Sequence, residues 1–154
     1  MHPLLKELYA YHQDTSVTID EVERLLVKLK ANDSPLKDND DLFHFLTVLH
    51  SQKERVHHQN EEVIRKRLVD NHVSLHPSIL ALEHAHKHFY EIADSLKILV
   101  DSELSRQEVI AIIEDYLRQY FDHIDTEENT FFPVANKLLT DKDWEVIASQ
   151  WQYA

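Results

Sequence analysis

The chain has 154 residues, no cysteine, no glycine and a formal net charge of −12. Without thiols there is no disulfide framework, thiolate metal site or thiol nucleophile; without glycine a Gly-rich phosphate loop is excluded, and the negative charge argues against a nucleic-acid partner. No apolar run reaches the roughly 18 residues of a membrane span and the N-terminus lacks a signal-peptide pattern, so the expectation is one cytoplasmic domain over residues 1–154 with no membrane contact.

A first helix is expected from about Pro3 to Ala31, where Leu5, Leu8, His12, Ile19, Val22, Leu26 and Leu29 recur at steps of three and four. Thr15 to Ile19 is rich in β-branched residues, a local weakness that the apolar stripe bridges. Asn32-Asp33-Ser34-Pro35 supplies the helix end. The acidic run Asp38 to Asp41 suits a helix N-terminus. From there a second helix is expected to continue unbroken to about Asn71 on Leu42, Phe45, Leu46, Leu49, Val56, Ile64 and Leu68. A third begins near Pro77 and runs to about Asp101 on Leu80, His84, His88, Ile92, Leu96 and Leu99. The fourth opens on a capping box from Ser105 to Glu108 and carries Val109, Ile112, Ile113, Tyr116, Leu117 and Tyr120 into the stretch from His123 to Pro133. There the proline frees the Asn129 carbonyl and predicts a bend. Thr140 to Asp143 caps a short last helix through Trp144, Ile147 and Trp151. Four long helices with short connections predict an all-α fold, an antiparallel up-down four-helix bundle with a short C-terminal helix.

The compositional anomaly is the histidine content, 12 in all. Residues four apart on a helix share a face, so His57 and Glu61 point the same way, as do His123 and Glu127. An imidazole and a carboxylate turned together into a core are costly unless something satisfies both, and a metal ion does. The first helix adds His12, and the third adds His84 and His88. The sum is five imidazoles and two carboxylates converging from four helices. One ion takes roughly four to six ligands, so this set suits two ions that share carboxylates. Ligation by N and O alone favours iron, manganese or zinc over copper(I) or an iron–sulfur cluster.

Neighbours on a helix point about 100° apart, so only one of His57 and His58 is expected to ligate, and the reading favours His57. His86 lies two residues from both His84 and His88 and is expected on another, solvated face. His50 is expected in interior packing or supporting a ligand, and His2, His44, His72 and His76 at the surface or at caps. Taken alone, an inward histidine such as His12 reads more simply as a hydrogen-bonded core residue, and the Tyr116/Tyr120 stripe as amphipathic core. The recurrence of His-x-x-x-Glu-Glu on two helices tips the balance towards a metal.

The segments DNDDLFHFL and VHHQNEE, LEHAHKHF, and HIDTEENTFFP with its following DW resemble the hemerythrin-like family, also called the HHE cation-binding domain, over nearly the whole chain from His12 to about Trp144. The resemblance implies a four-helix bundle around a non-haem di-iron centre with an oxo or hydroxo bridge. Its implied ligands are His12, His57, Glu61, His84, His88, His123 and a carboxylate of the fourth helix, with zinc or manganese as substitutes for iron. Oxygen-carrying members place that last carboxylate five residues after its histidine, which would select Glu128; the broader pattern uses four and selects Glu127. A regular helix turns a fifth-position residue about 140° away and favours Glu127, whereas a π-bulge would reverse the choice. The position one turn before the fourth-helix histidine is apolar in the oxygen carriers and is Tyr120 here, where a phenol could hydrogen-bond a bound oxygen species or ligate iron.

The expected function is binding of a small diatomic ligand, O2 or NO, as carrier, store or sensor. Histidine-rich ligation leaves the iron pair less electron-rich than the carboxylate-dominated sites that cleave O2. The alternatives are redox turnover of peroxide or NO, and an iron-buffering or regulatory module. Ferritin-like oxidases pair Glu-x-x-His on two helices with a Glu from each of the others; Glu54-x-x-His57 and Glu83-x-x-His86 match that pattern only on paper.

Overall fold

In the computed structural model, which describes residues 1–31, 35–36, 39–72, 74–101 and 106–154, every regular element among the described residues is helical. The elements are α1 (Pro3–Ala31), α2 (Asp40–Leu49), α3 (Gln52–Asn71), α4 (Pro77–Asp101), α5 (Arg106–Thr126), a π-helical turn (Glu127–Phe131), α6 (Phe132–Leu138) and α7 (Asp141–Gln150). The expected caps at Asn32 to Ser34, at Asp38 and at Ser105 lie outside the described residues.

α1 runs without interruption through the β-branched stretch, burying Leu4, Leu5, Leu8, His12, Ile19, Val22, Leu25, Leu26 and Leu29. The second expected helix is two. α2 starts on the Asn39 side chain, which accepts from the Leu42 amide, and α3 starts afresh on Ser51, whose hydroxyl accepts from the Glu54 amide. His50 helps to close α2: its amide and its Nδ1 both bond the Leu46 carbonyl, at 3.2 and 2.8 Å. The sequence carried the sign of this break, since Ser51-x-x-Glu54 is the serine-to-glutamate spacing of a helix start. The interruption resets the phase of α3, so that His57, His58, Asn60 and Glu61 all turn inward.

α4 corrects the expected stripe. The buried line is Ile79, Leu82, His86, Phe89, Ala93, Leu96 and Val100, a strict alternation of three and four, whereas Leu80 is 50% exposed. His76 caps the start of α4 through Nδ1, which accepts from the Ser78 amide. At the other end of the chain Thr140 and Asp143 form the capping box of α7. Asp143 also accepts from Arg67 and Asn71, at 2.8 and 2.7 Å, and so ties α7 to α3.

Two separate apolar cores result. One gathers Ile19 to Leu29 of α1, Leu42 to Leu49 of α2, Phe89 to Val100 of α4 and Val109 to Tyr120 of α5. The other gathers Leu4 to Leu8 of α1, Ile64 and Leu68 of α3, Ile79 and Leu82 of α4, then Phe131 to Ile147. α1 and α4 therefore run from the second core to the first, while α2 with α3, and α5 with the turn that follows, run back. The residues between the cores on each of these runs are the buried histidines and glutamates.

Candidate metal centre

The layer between the cores holds His12, His57, His58, Glu61, His86, His123 and Glu127, each no more than 6% exposed. Their nitrogen and oxygen atoms fall into two groups able to hold an ion, His12, His57, Glu61 and Glu127, and His58, Glu61, His86 and His123. Both carboxylates reach across the two groups. Glu61 Oε1 lies 2.9 Å from His57 Nε2 and 3.5 Å from His12 Nε2, while its Oε2 lies 3.2 Å from His86 Nε2. Glu127 Oε2 lies 3.2 Å from His12 Nε2, while its Oε1 lies 2.8 Å from His123 Nε2 and 3.3 Å from His86 Nε2.

These short approaches are not a finished hydrogen-bond network. Both oxygens of Glu61, Oε2 of Glu127 and Nε2 of His123 are fully buried and have no hydrogen-bond partner. His12 and His57 bring their Nε2 atoms within 3.2 Å of each other. Unpaired buried carboxylate oxygens cost free energy that native interiors do not normally tolerate. Lone pairs that converge without donors between them are what a cation satisfies, so the residues present fit a metal.

The second glutamate of each pair orients an imidazole from outside. His12 Nδ1–H donates to Glu128 Oε1 at 2.9 Å, and His86 Nδ1–H donates to Glu62 Oε1 at 3.1 Å. Such carboxylates fix the ring and its tautomer and raise the basicity of the other nitrogen. Glu62 is itself held by Arg65 at 2.8 Å. Burial pushes His12 down, but the Glu127 and Glu61 carboxylates beside it outweigh this and lift it to about 10. His86 is likewise buried yet raised well above its ordinary value by Glu127, Glu61 and Glu62. Burial acts to raise Glu61 and Glu127, but the surrounding imidazoles hold both below the usual carboxylate range. The carboxylates stay charged and attract positive charge, as protons or as a metal.

Of the residues singled out from sequence, His12, His57, Glu61, His123 and Glu127 are brought together. His84 and His88 are not. His84 is exposed, and the His88 side chain, 43% exposed, has Nδ1 3.6 Å from Glu91. The reason is the register of α4: its alternation of three and four puts His86, expected in solvent, into the layer. His58 joins as well, with a qualification written in its bonds. Its Nε2 lies 3.3 Å from Glu54 Oε1 and its Nδ1 3.1 Å from the Tyr90 hydroxyl. Burial, then the charge on His86, push it well below its ordinary value, and a neutral ring serves both neighbours. Glu54 accepts in turn from the Tyr11 hydroxyl, and Tyr11 stacks on His57 with ring centroids 4.0 Å apart.

The π-helical turn, by where it begins, sets Glu127 and Glu128 apart in space. It starts at Glu127, so the step from His123 to Glu127 keeps α-helical spacing, and Glu127 is buried while the Glu128 side chain is 32% exposed. The wider turn bonds the Phe132 amide to the Glu127 carbonyl. Five residues before Pro133 in that register is Glu128, not Asn129, and its carbonyl accepts from the Tyr9 hydroxyl at 3.0 Å. Tyr120 is buried below the layer, stacked on Tyr116, and its hydroxyl pairs with that of Thr15 at 2.6 Å.

Among the described residues two grooves reach this layer on the His58/His86/His123 group. A groove of about 720 Å³ between α3 and α4 ends on His58 and His86. A smaller one of about 260 Å³ between α4 and α5 reaches His123 beside Phe89.

A chain whose described elements are all helical, with a buried layer of imidazoles and shared carboxylates between two apolar cores, fits the class of metal-binding helical proteins. Comparison narrows the class: the family model for the hemerythrin HHE cation-binding domain matches residues 4–135, and the chain belongs to that family. No curated protein and no solved structure gives a significant match. Among the described residues no helix is long and apolar enough to cross a membrane.

Proposed function

We propose that residues 1–154 form a single hemerythrin-like domain, an antiparallel up-down four-helix bundle with a short C-terminal helix, that holds two iron ions and binds O2 or NO as carrier, store or sensor. The observation that carries this reading is the reach of Glu61 and Glu127, each of which faces one group of imidazoles with one oxygen and the other group with its second. His12 and His57 would hold one ion, His86 and His123 the other, and the two carboxylates would bridge them. His58, whose ring nitrogen falls in the same group, could join His86 and His123 there. When bound, a reduced iron pair supplies electrons to a diatomic ligand. The chain itself excludes bulk water through the two apolar cores, keeps Glu61 and Glu127 charged, and aims His12 and His86 through Glu128 and Glu62.

One feature favours a second reading, redox turnover of peroxide or NO. The space beside His58 and His86 is an open groove with the polar residues Tyr90, Arg55 and Gln59 in its wall, not the enclosed pocket expected of a reversible oxygen binder. The deciding experiment is metal analysis followed by stopped-flow mixing of the reduced iron-loaded protein with O2, NO and peroxide. Two irons per chain and an O2 adduct that releases its ligand under vacuum support binding. Immediate oxidation without an adduct, followed by repeated peroxide consumption, refutes it in favour of the enzyme.

A further inference from the structure

The groove between α3 and α4 concentrates positive charge on a chain that has little of it. Of the 16 lysines and arginines, Arg55, Arg65, Lys66 and Lys87 all line it, together with the acidic Glu62, Glu83 and Asp94. Most of that charge is already matched. Arg65 bonds Glu62 and Glu83 at 2.8 and 3.0 Å, Lys87 bonds Glu83 at 3.2 Å, and His50 lies 3.2 Å from Asp94. Arg55 and Lys66 are left with no side-chain hydrogen bond or ion pair among the described residues. Eleven residues of α3 separate them, about 16 Å along the axis, so they serve opposite ends of the groove.

Arg55 is the cation at the α2 end of the groove, on an exposed position of the first turn of α3. It lies one turn before His58 on α3, and its charge acts on Tyr90, whose hydroxyl bonds His58 at 3.1 Å. Tyr90 and Arg55 both line the groove, from α4 and α3, with His58 of the buried layer in the same wall. A guanidinium fork suits a carboxylate, whose two oxygens match it. A single guanidinium at this end of the groove, with Lys66 at the other end and three fixed carboxylates between, suits a monoanion and disfavours phosphate dianions or nucleotides. The remaining length, past Val63 and the stems of Lys66 and Lys87, leaves room for an organic body.

We infer that the α3/α4 groove is a binding site for a small organic monocarboxylate, its carboxylate held by Arg55 on the His58 side of the metal-binding layer. The site rests on the groove and its unpaired cation and does not depend on which metal the layer holds.

The test is calorimetric titration of the full-length protein, as purified and after iron loading, with benzoate as probe and inorganic phosphate and benzylamine as comparators, with metal content measured for every sample. Saturable benzoate binding is expected in both samples, with weaker phosphate binding and none for benzylamine. Arg55→Gln should weaken benzoate at least about tenfold, the loss of a charge-assisted pair, and Arg55→Lys should recover part of it. Affinity unchanged in Arg55→Gln overturns the proposal, as does phosphate binding as tightly as benzoate. Binding that vanishes with the metal but ignores Arg55 assigns the carboxylate to the metal itself and equally overturns it, without touching the proposed iron function.

Discussion

Replacing His86 by alanine tests the register of α4, on which the whole centre depends. The His86 ring is 3% exposed and faces three carboxylates, Glu61 at 3.2 Å, Glu127 at 3.3 Å and Glu62 at 3.1 Å. Despite burial it is held well above its ordinary pKa by those carboxylates, so in metal-free protein it is a buried cation that offsets their charge. Removing one partner of such a buried pair costs about 3–5 kcal/mol. His84 is exposed, and His84→Ala should stay within about 0.5 kcal/mol of the parent. The assay is urea denaturation in chelator, with metal per chain measured in parallel on iron-loaded samples. His86→Ala should lose most of the stability difference quoted and at least one metal per chain, while His84→Ala and His88→Ala keep both. If His84→Ala or His88→Ala sheds metal while His86→Ala keeps the parent's metal and midpoint, the register argument fails.

Glu61→Ala or Glu127→Ala should abolish two-metal binding and lower the melting temperature more in metal-loaded than in chelated protein, since metal binding adds to folding stability; unchanged melting and metal content would refute bridging. Glu62→Gln and Glu128→Gln, which loosen His86 and His12 without removing a bridge, should keep stoichiometry but weaken metal affinity about 10–100-fold in a competition titration. Asp143, capping α7, is held at about 2 by the Thr140 backbone, its hydroxyl and Arg67. A carboxyl whose folded value is depressed stabilises fully above its unfolded pKa and loses this as pH falls through the folded one. Asp143→Asn should therefore cost on the order of 1 kcal/mol near neutrality and remove that part of the parent's acid sensitivity between about pH 4 and 2, read from melting curves. Tyr120→Phe should cost about 1 kcal/mol through the lost Thr15 bond and leave metal content unchanged.

Much of the architecture was legible because apolar spacing and helix starts are local signals. The stripe of α1 and the capping box at Thr140 lie where the sequence put them, and His57, Glu61, His123 and Glu127 follow from a four-residue step on a helix. The errors came from signals that compete at short range. In LEHAHKHF three histidines alternate with other residues, and reading two of them as a four-residue pair put His84 and His88 on the stripe in place of His86, although Ile92 and Leu96 are buried as expected. Only the longer series from Ile79 to Val100 fixes the phase. The break at Ser51 was hidden because apolar residues continue on both sides of it. His58 was set aside because adjacent residues diverge on one helix, an argument that overlooks how a layer filled from four sides has room for both. Tyr120 was placed beside the metal by its own helix, but its hydroxyl finds Thr15 on α1, a pairing that no local pattern announces.

The layer is built from two similar halves that cannot work apart. α1 and α3 supply His12, His57, Glu61 and Glu62; α4, α5 and the π-helical turn supply His86, His123, Glu127 and Glu128. Each outer glutamate reaches into the opposite half, Glu62 to His86 and Glu128 to His12, and each inner one spans both groups of imidazoles. Neither half could orient its own lone histidine, so assembling the layer and packing the helices are one event. The halves differ at one place. Beside His57 stands His58, with Glu54 and Tyr90 on its ring, while the corresponding position beside His123 is Ile124. Both grooves open on the His86 side, whereas the His12 side is covered by Tyr11 stacked on His57 and by Phe132 stacked on His12. A symmetric layer thus acquires one covered face and one face on which both described grooves open, at His58, His86 and His123.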